Sequence, residues 1–442
     1  MQQHYLFLLE TCSPTKALCM MRHGAKFPKQ EVKDEIAKLE EFKTYFNDQF
    51  SNNENALHAL PEKSKSVISK IMKWKNKTAS SEAKKINDNG LLTMRKLGQR
   101  WNSKLLNIVV NIESEEEIEF NSAKEERCSL SGQEFLKEFL KIKKNTTEKI
   151  PPFKLPEKDD HRIKLDKGKP EVKGPKVNIP EKDVENIYYN EVCPEKNCST
   201  TEKVINLLFP NEYGSDEWKE WRYKITSAKV KTMYMACANS YGYEYSAEEE
   251  GHAWCHLFDD DDIAMFEGMH DYQYYIKNGY HDIKTKNYGH PIMKDIVKFL
   301  NKTETKKFKL FAAHTSNCLS LITGFRMFQD EKKITLKSMT TGDKMRNRKW
   351  KSSLIGNYAC NIMVVVYDCE DDKYNITEEV SIFFNETPLE MVFENERTCT
   401  LCPINDVINL IQELLNDKPT EEESIEYDNL QKRKKIEETI DD

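Results

Sequence analysis

No run of about 18 apolar residues occurs in the chain, so nothing in it reads as a helix able to cross a bilayer. An excess of positive charge is also missing. Lysine and arginine number 67 against 74 aspartates and glutamates, a net charge of −7, which argues against nucleic acid as the main partner. Internal repeats are absent, which excludes solenoids and propellers. A secretory h-region is not visible: Tyr5–Leu9 is apolar but short, and Glu10 ends it. The final Thr-Ile-Asp-Asp is not an ER-retention signal. Only one Cys-x-x-Cys occurs, Cys399 to Cys402. Without a second pair or a thioredoxin-like context, a zinc or redox role is disfavoured, and disulfides to other segments are expected instead.

What the chain does contain bounds the answer further. A length of 442 residues exceeds what one simple core usually holds, so a core with a large insertion, or two domains, is expected. Hydrophobic residues at 38% and charged residues at 32% suit a globular protein with a very polar surface. Twelve cysteines accompany six N-x-S/T sequons, at Asn76, Asn145, Asn197, Asn301, Asn375 and Asn385. Together they favour an oxidising, glycosylating compartment. The expectation is a protein of the secretory pathway, in the ER lumen, outside the cell or at its surface. Its leader would then precede Met1, or the true start is missing.

Ala17–Met21 is a short apolar run that ends at Arg22-His23-Gly24, which predicts a buried strand entering a tight loop. Val32–Phe50, Ala56–Trp74 and Leu91–Val109 carry apolar residues at helical spacing and predict amphipathic helices. Glu117–Phe120 reads as a strand leading toward Arg127, and Ser131–Ile142 as a helix. Residues 143–182 are rich in lysine and proline and read as an exposed loop or linker. Residues 200–285 combine helical patterns with many aromatics and form a candidate insert. Lys309–Ala313 predicts a second strand that ends in a histidine, His314. Asn361–Tyr367 and Val380–Phe384 read as further strands. The tail from Glu421 is charged and expected to fray.

Two apolar strands therefore end in a histidine, and a third ends near an arginine. Ligands of open α/β sheets bind outside the carboxyl ends of the strands. If these strands lie side by side, Arg22, His23, Arg127 and His314 converge. Such a cluster of nitrogen donors suits a phosphate dianion.

Arg22-His23-Gly24-Ala25-Lys26-Phe27-Pro28 resembles the R-H-G-x-R-x-P signature of the histidine acid phosphatases. The segment from Cys12 to Pro28 is similar to one branch, the multiple inositol polyphosphate phosphatases. Lys124–Cys128, the Trp254–Asp259 block, and Arg346–Asn361 with Trp350, Lys351, Gly356 and Tyr358 extend the likeness over about residues 11 to 400. The resemblance implies a discontinuous α/β histidine phosphatase core (phosphoglycerate-mutase-like) with a central mixed sheet, over 11–135 and 286–415. It implies a linker and mostly helical insert over 136–285, and composition adds a charged tail over 416–442. It also implies that His23 attacks phosphorus, and that Arg22, Lys26, Arg127 and His314 hold the phosphoryl group. The substrate would be a small phosphate ester of the inositol polyphosphate (phytate-like) kind, with no metal or organic cofactor.

Three departures bear on activity. Lys26 stands where the family has a second arginine, which keeps the charge but loses the planar fork. His314-Thr315-Ser316 replaces H-A-E, so Ser316 occupies the place of the proton-donating glutamate. Loss of a general acid typically costs about 10²–10⁴-fold. Asp183–Tyr189, with Glu185, is acidic and aromatic where the family is basic. A catalytically inactive secreted descendant that binds a phosphate ester or a protein is therefore the alternative. An ordinary acid phosphatase for monoesters would carry H-D at the second site, which this chain also lacks.

Blander readings stand beside these. His23 could be a buried, hydrogen-bonded histidine, and Arg127 a surface arginine. His252, Cys255 and His256 before Asp259–Asp262 have the look of a metal site, but Cys255 falls in the family's W-C block, where no metal is implied. The basic stretch 137–176 is interleaved with acids and prolines and reads by default as a solvated loop.

Overall fold

The computed structural model describes residues 11–51, 53–79, 81–141, 152, 154–155, 162–163, 193, 198–211, 215–243, 251–281, 283–340, 346–370, 375–393 and 396–417. Asp183–Tyr189 and the tail from residue 418 lie outside the described residues, as do Asn145 and Asn197.

The five main strands are β1 (Cys12–Arg22), β2 (Ile118–Ser122), β3 (Phe308–Ala313), β4 (Asn361–Glu370) and β5 (Ile376–Phe384). They lie in the order β2-β3-β1-β4-β5, extended by two-residue strands beyond β5. β2, β3 and β1 run parallel, while β4 and β5 are antiparallel to their neighbours. The expected mixed sheet is thus present.

The sequence of β1 explains its central position. Ala17 to Met21 are at most 1% exposed, and a strand of period two sends them alternately to opposite faces. Leu18 and Met20 enter one apolar cluster with residues of the His290–Leu300, Thr315–Gly324 and Ile404–Asn416 helices. Ala17, Cys19 and Met21 enter another with the Asp88–Lys104 and Glu126–Phe139 helices. A strand covered on both faces reads as a continuous apolar run, as this one does. Lys309 in β3 is buried among such neighbours because Glu304 and Glu119 pair with it.

A third apolar cluster is helical. It joins residues from Ile36 to Trp74 with residues from Cys193 to Ile276. The helices of 30–73 therefore share a core with the 199–278 helices rather than with the sheet. The cluster is rich in aromatics: Trp221 stacks on Tyr45 at 4.5 Å between centroids, and Trp254 meets Trp74 at 5.4 Å.

Local breaks divide the long helices expected from spacing. Val32–Phe50 falls into Gln30–Ala37 and Glu40–Phe50. Ala56–Trp74 divides at Pro61, which precedes the Glu62–Lys73 helix and cannot donate a backbone hydrogen bond. Leu91–Val109 breaks at Leu105, whose backbone is not helical. Few residues of 143–182 are described. Lys154 is exposed and bridges to Asn121 on the outer edge of β2, whereas Ile163 is buried and departs from an exposed loop.

Four disulfides link Cys12–Cys369, Cys193–Cys198, Cys237–Cys255 and Cys399–Cys402. The last corrects the expectation that Cys399 and Cys402 pair with other segments. The chain turns tightly from Thr398–Cys399 to Cys402–Pro403, which sets the two Cα atoms 5.7 Å apart, within bridging range. Cys12 and Cys369 face each other in the β1–β4 register and close a separation of 357 residues. Cys12→Ser with Cys369→Ser is expected to cost about 2–4 kcal/mol, visible as a lowered midpoint in denaturant melts.

Candidate active site

Parallel pairing brings three carboxyl ends to one edge. Arg22 is level with Ala313, and Ser122 with Ala312. The next residues are held there by backbone bonds: His23 N–H donates to Ala313 O at 3.1 Å, and Ala123 N–H to Ala312 O at 2.9 Å. β4 runs the other way, so its amino end arrives at the same edge. Arg22 N–H donates to Cys360 O at 2.8 Å, placing Gly356 and Tyr358 beside the first histidine. The 346–356 segment is anchored by Arg348, which pairs with Asp271 and Glu267 in the Asp260–Asn278 helix. Asp271 also accepts from Ser352 N–H at 2.7 Å.

Gly24 is required by close approach. A Cβ there would stand 2.4 Å from Gly90 O, at the start of the Asp88–Lys104 helix. Gly24 N–H donates to Ser131 Oγ at 3.0 Å, and Ser131 donates to Arg127 O at 2.6 Å. One serine thus ties the loop to the helix that carries Arg127.

His23 is buried, and its Nδ1 lies 2.8 Å from Gly24 O. A carbonyl can only accept, so Nδ1 carries the proton and Nε2 carries the lone pair. Arg127 Nε donates to that lone pair at 3.1 Å. Burial, then the charges of Arg22, Arg127 and His314, holds the His23 pKa well below the usual imidazole value, against the opposing effect of the Gly24 bond. The ring is therefore neutral, with its nucleophilic nitrogen facing a guanidinium.

Arg22 lies over the Tyr358 ring at 4.1 Å and donates through Nη1 to Gly356 O. Its Nε is buried without an acceptor among the described residues. Lys26 donates to Phe27 O at 3.3 Å, and burial with the nearby charges of Arg127, Arg22, Lys29 and Lys84 lowers its pKa to about 8. Among the described residues no carboxylate pairs with Arg22, Lys26 or Arg127. Half-buried cations around a neutral imidazole make a setting that suits a dianion.

His314 caps the Thr315–Gly324 helix, and its ring meets His23 edge-on at 5.6 Å. Ser316 lies half-buried in the first turn of that helix. A carboxylate to which the Lys124–Cys128 segment assigns no role in the sequence stands beside His314. Glu125 Oε2 is 2.8 Å from His314 Nε2. Burial opposes ionisation of Glu125, but the bond and charge of His314, with Arg127, hold its pKa below the usual carboxylate range. Its signal in the sequence is only adjacency, two residues before Arg127. Tyr358, 5.9 Å from the His23 ring, is marked in the sequence only as one member of the Arg346–Asn361 block. Glu125, Cys128 and His314 hold potential ligand atoms within 4.8 Å of one another. Burial pushes the Cys128 thiol up to about 12, and Arg22 and Arg127 are close by, which disfavours a thiolate–cation site there. The other metal candidate is rearranged. Cys255 is bonded to Cys237, His252 meets Ser240 Oγ at 2.6 Å, and His256 meets Lys70 at 3.0 Å.

A mixed α/β sheet whose strand ends gather a neutral histidine and unpaired cations defines a protein of the histidine phosphatase class. The chain belongs to the histidine phosphatase superfamily (branch 2), whose profile matches residues 15–385. It is similar to Multiple inositol polyphosphate phosphatase 1 of Drosophila melanogaster, 22% identical over 418 residues, covering 91% of this chain and 80% of the fly protein. Solved structures share the fold. The phytase from D. castellii aligns with a TM-score of 0.62 at 13% identity, over 94% of this chain and 82% of that one. The Bifidobacterium longum multiple inositol polyphosphate phosphatase, in complex with inositol hexasulfate, aligns with a TM-score of 0.56 at 15% identity, over 91% and 92%.

Proposed function

We propose that the chain is a phosphomonoesterase acting on inositol polyphosphates through a phosphohistidine at His23. The observation that carries this is the His23 tautomer: Nδ1–H is committed to Gly24 O, so Nε2 is the nitrogen that carries the lone pair. Arg22, Lys26, Arg127 and His314 hold the phosphoryl oxygens, and the charge they supply is set in place before the reaction. His23 Nε2 attacks phosphorus in line, the ester oxygen leaves, and water then hydrolyses the phosphohistidine. Ser316 in place of a carboxylic acid weakens departure of an alkoxide. The same substitution favours a second reading, a phosphate-ester or protein binder without turnover. Four disulfides support residence in the secretory pathway, and exposed Asn301 and Asn375 suit glycan attachment there.

The test is hydrolysis of inositol hexakisphosphate and p-nitrophenyl phosphate at acidic pH. Turnover of the inositol phosphate supports the enzyme reading. Binding of it without turnover of either ester supports the second.

Lys26 gives a pH signature. With its pKa at about 8 in the free site, it loses its charge as pH rises through that value, and affinity for a phosphate dianion falls. Arginine stays protonated throughout. Lys26→Arg is expected to remove this alkaline fall, measured as the inhibition constant of inorganic phosphate against pH.

A further inference from the structure

The family's proton donor is missing at Ser316, yet an alkoxide leaving group requires a proton. The described residues offer one carboxylate beside the two histidines. Glu125 and His314 are about one-third exposed, with side-chain exposures of 31% and 28%, and are hydrogen-bonded at 2.8 Å. They are open to a ligand while their mutual geometry is fixed. His314 also adjoins the nucleophile ring, so the pair lies next to where the ester must sit. Glu125 is held in place because it immediately precedes the Glu126–Phe139 helix that carries Arg127.

We propose that the Glu125–His314 pair supplies the leaving-group proton that Ser316 cannot. This rests on the phosphatase reading above. In the first step the P–N bond to His23 Nε2 forms and the P–O ester bond breaks. With the pair protonated, as imidazolium His314 beside ionised Glu125, the imidazolium gives one proton to the leaving oxygen, and the pair is left as neutral imidazole and carboxylate. In the second step water attacks phosphorus, the P–N bond breaks, and the proton released by water returns to the pair. No oxidant, metal or further reactant is needed. His314 touches the leaving oxygen and Glu125 acts through it, as a positioning and charge-balancing residue.

The charged and titratable groups facing the pair are Arg22, Arg127, Cys128 and His23. Burial, then the Arg127 and Arg22 charges, lowers the His314 pKa, against the raising effect of Glu125. The pair therefore holds its transferable proton only on the acid side. Activity on an alkyl ester should fall as pH rises through the His314 titration, whereas activity on an aryl ester, which leaves without a proton, should not.

The experiment compares parent, Glu125→Gln and Glu125→Gln with Ser316→Glu on both esters across pH. The assignment expects Glu125→Gln to lower kcat on inositol hexakisphosphate about 10²-fold or more, and on p-nitrophenyl phosphate by no more than about threefold. It also expects Ser316→Glu to restore part of the loss. Equal losses on both esters, or no loss on either, overturn the assignment while leaving the phosphatase reading intact. A parent that turns over neither ester overturns both.

Discussion

His23→Ala is expected to abolish turnover of every phosphate ester the chain hydrolyses, by roughly 10⁴-fold or more in kcat. Losses of that size come from removing the atom that forms the covalent bond, whereas the loss of one stabilising contact costs far less. The fold should survive. His23 sits at a strand end, not inside the sheet, and its backbone bond to Ala313 O does not depend on the side chain. The variant should keep its affinity for inorganic phosphate within about tenfold, since Arg22, Lys26 and Arg127 remain. Steady-state kinetics beside phosphate titration by calorimetry separates the two quantities. A variant that binds but does not turn over locates the chemistry on His23. Residual turnover above about a tenth of the parent's would place it elsewhere.

Arg127→Ala carries the second-largest expected effect, about 10²–10³-fold in kcat/KM. Two causes add. The guanidinium that faces the His23 Nε2 at 3.1 Å is gone, and with it the donor to the phosphoryl oxygens that the proposed mechanism assigns to Arg127. The His23 pKa also moves back toward its ordinary value, because Arg127 is one of the charges depressing it. The sign of the pH effect follows. A histidine with a higher pKa is protonated at higher pH, and protonated Nε2 cannot attack. The acid limb of the kcat/KM profile should therefore shift to higher pH in the variant. Arg127→Lys should recover part of the acid limb through its charge but little of the rate, since an ammonium does not reproduce the planar fork. A rate loss without movement of the acid limb would mean that Arg127 acts only by holding phosphate.

Much of this site is legible in the order of the residues alone. β1 and β3 announce themselves as short apolar runs that end in histidine, and parallel pairing of such strands leaves their ends on one edge. What spacing cannot carry is which elements share a core. The helices of residues 30–73 look in sequence like any amphipathic helices, and only their aromatic contacts with Trp218, Trp221 and Trp254 show where they pack. The Cys399–Cys402 bridge is likewise hidden, because whether neighbouring cysteines meet depends on a local turn. Glu125 escapes for a different reason. A glutamate in a charged run is ordinarily a solvated residue, and its value lies in a contact with His314, 189 residues away. Tyr358 and Gly356 reach the site because β4 is antiparallel, which the pattern of a buried strand does not reveal.

The central claim is a covalent intermediate on His23, and rapid acid-free quenching tests it most directly. The protein would be mixed with a phosphate ester, quenched in alkaline denaturant within the first turnover, and its peptides mapped by mass spectrometry. A phosphoryl group on the peptide that contains His23, stable in alkali and lost in mild acid, is the predicted result, and Ser316→Glu should shorten its build-up on an inositol phosphate. Hydrolysis of the ester with no phosphorylated His23 at any time, or with the phosphoryl group on another residue, would contradict the account.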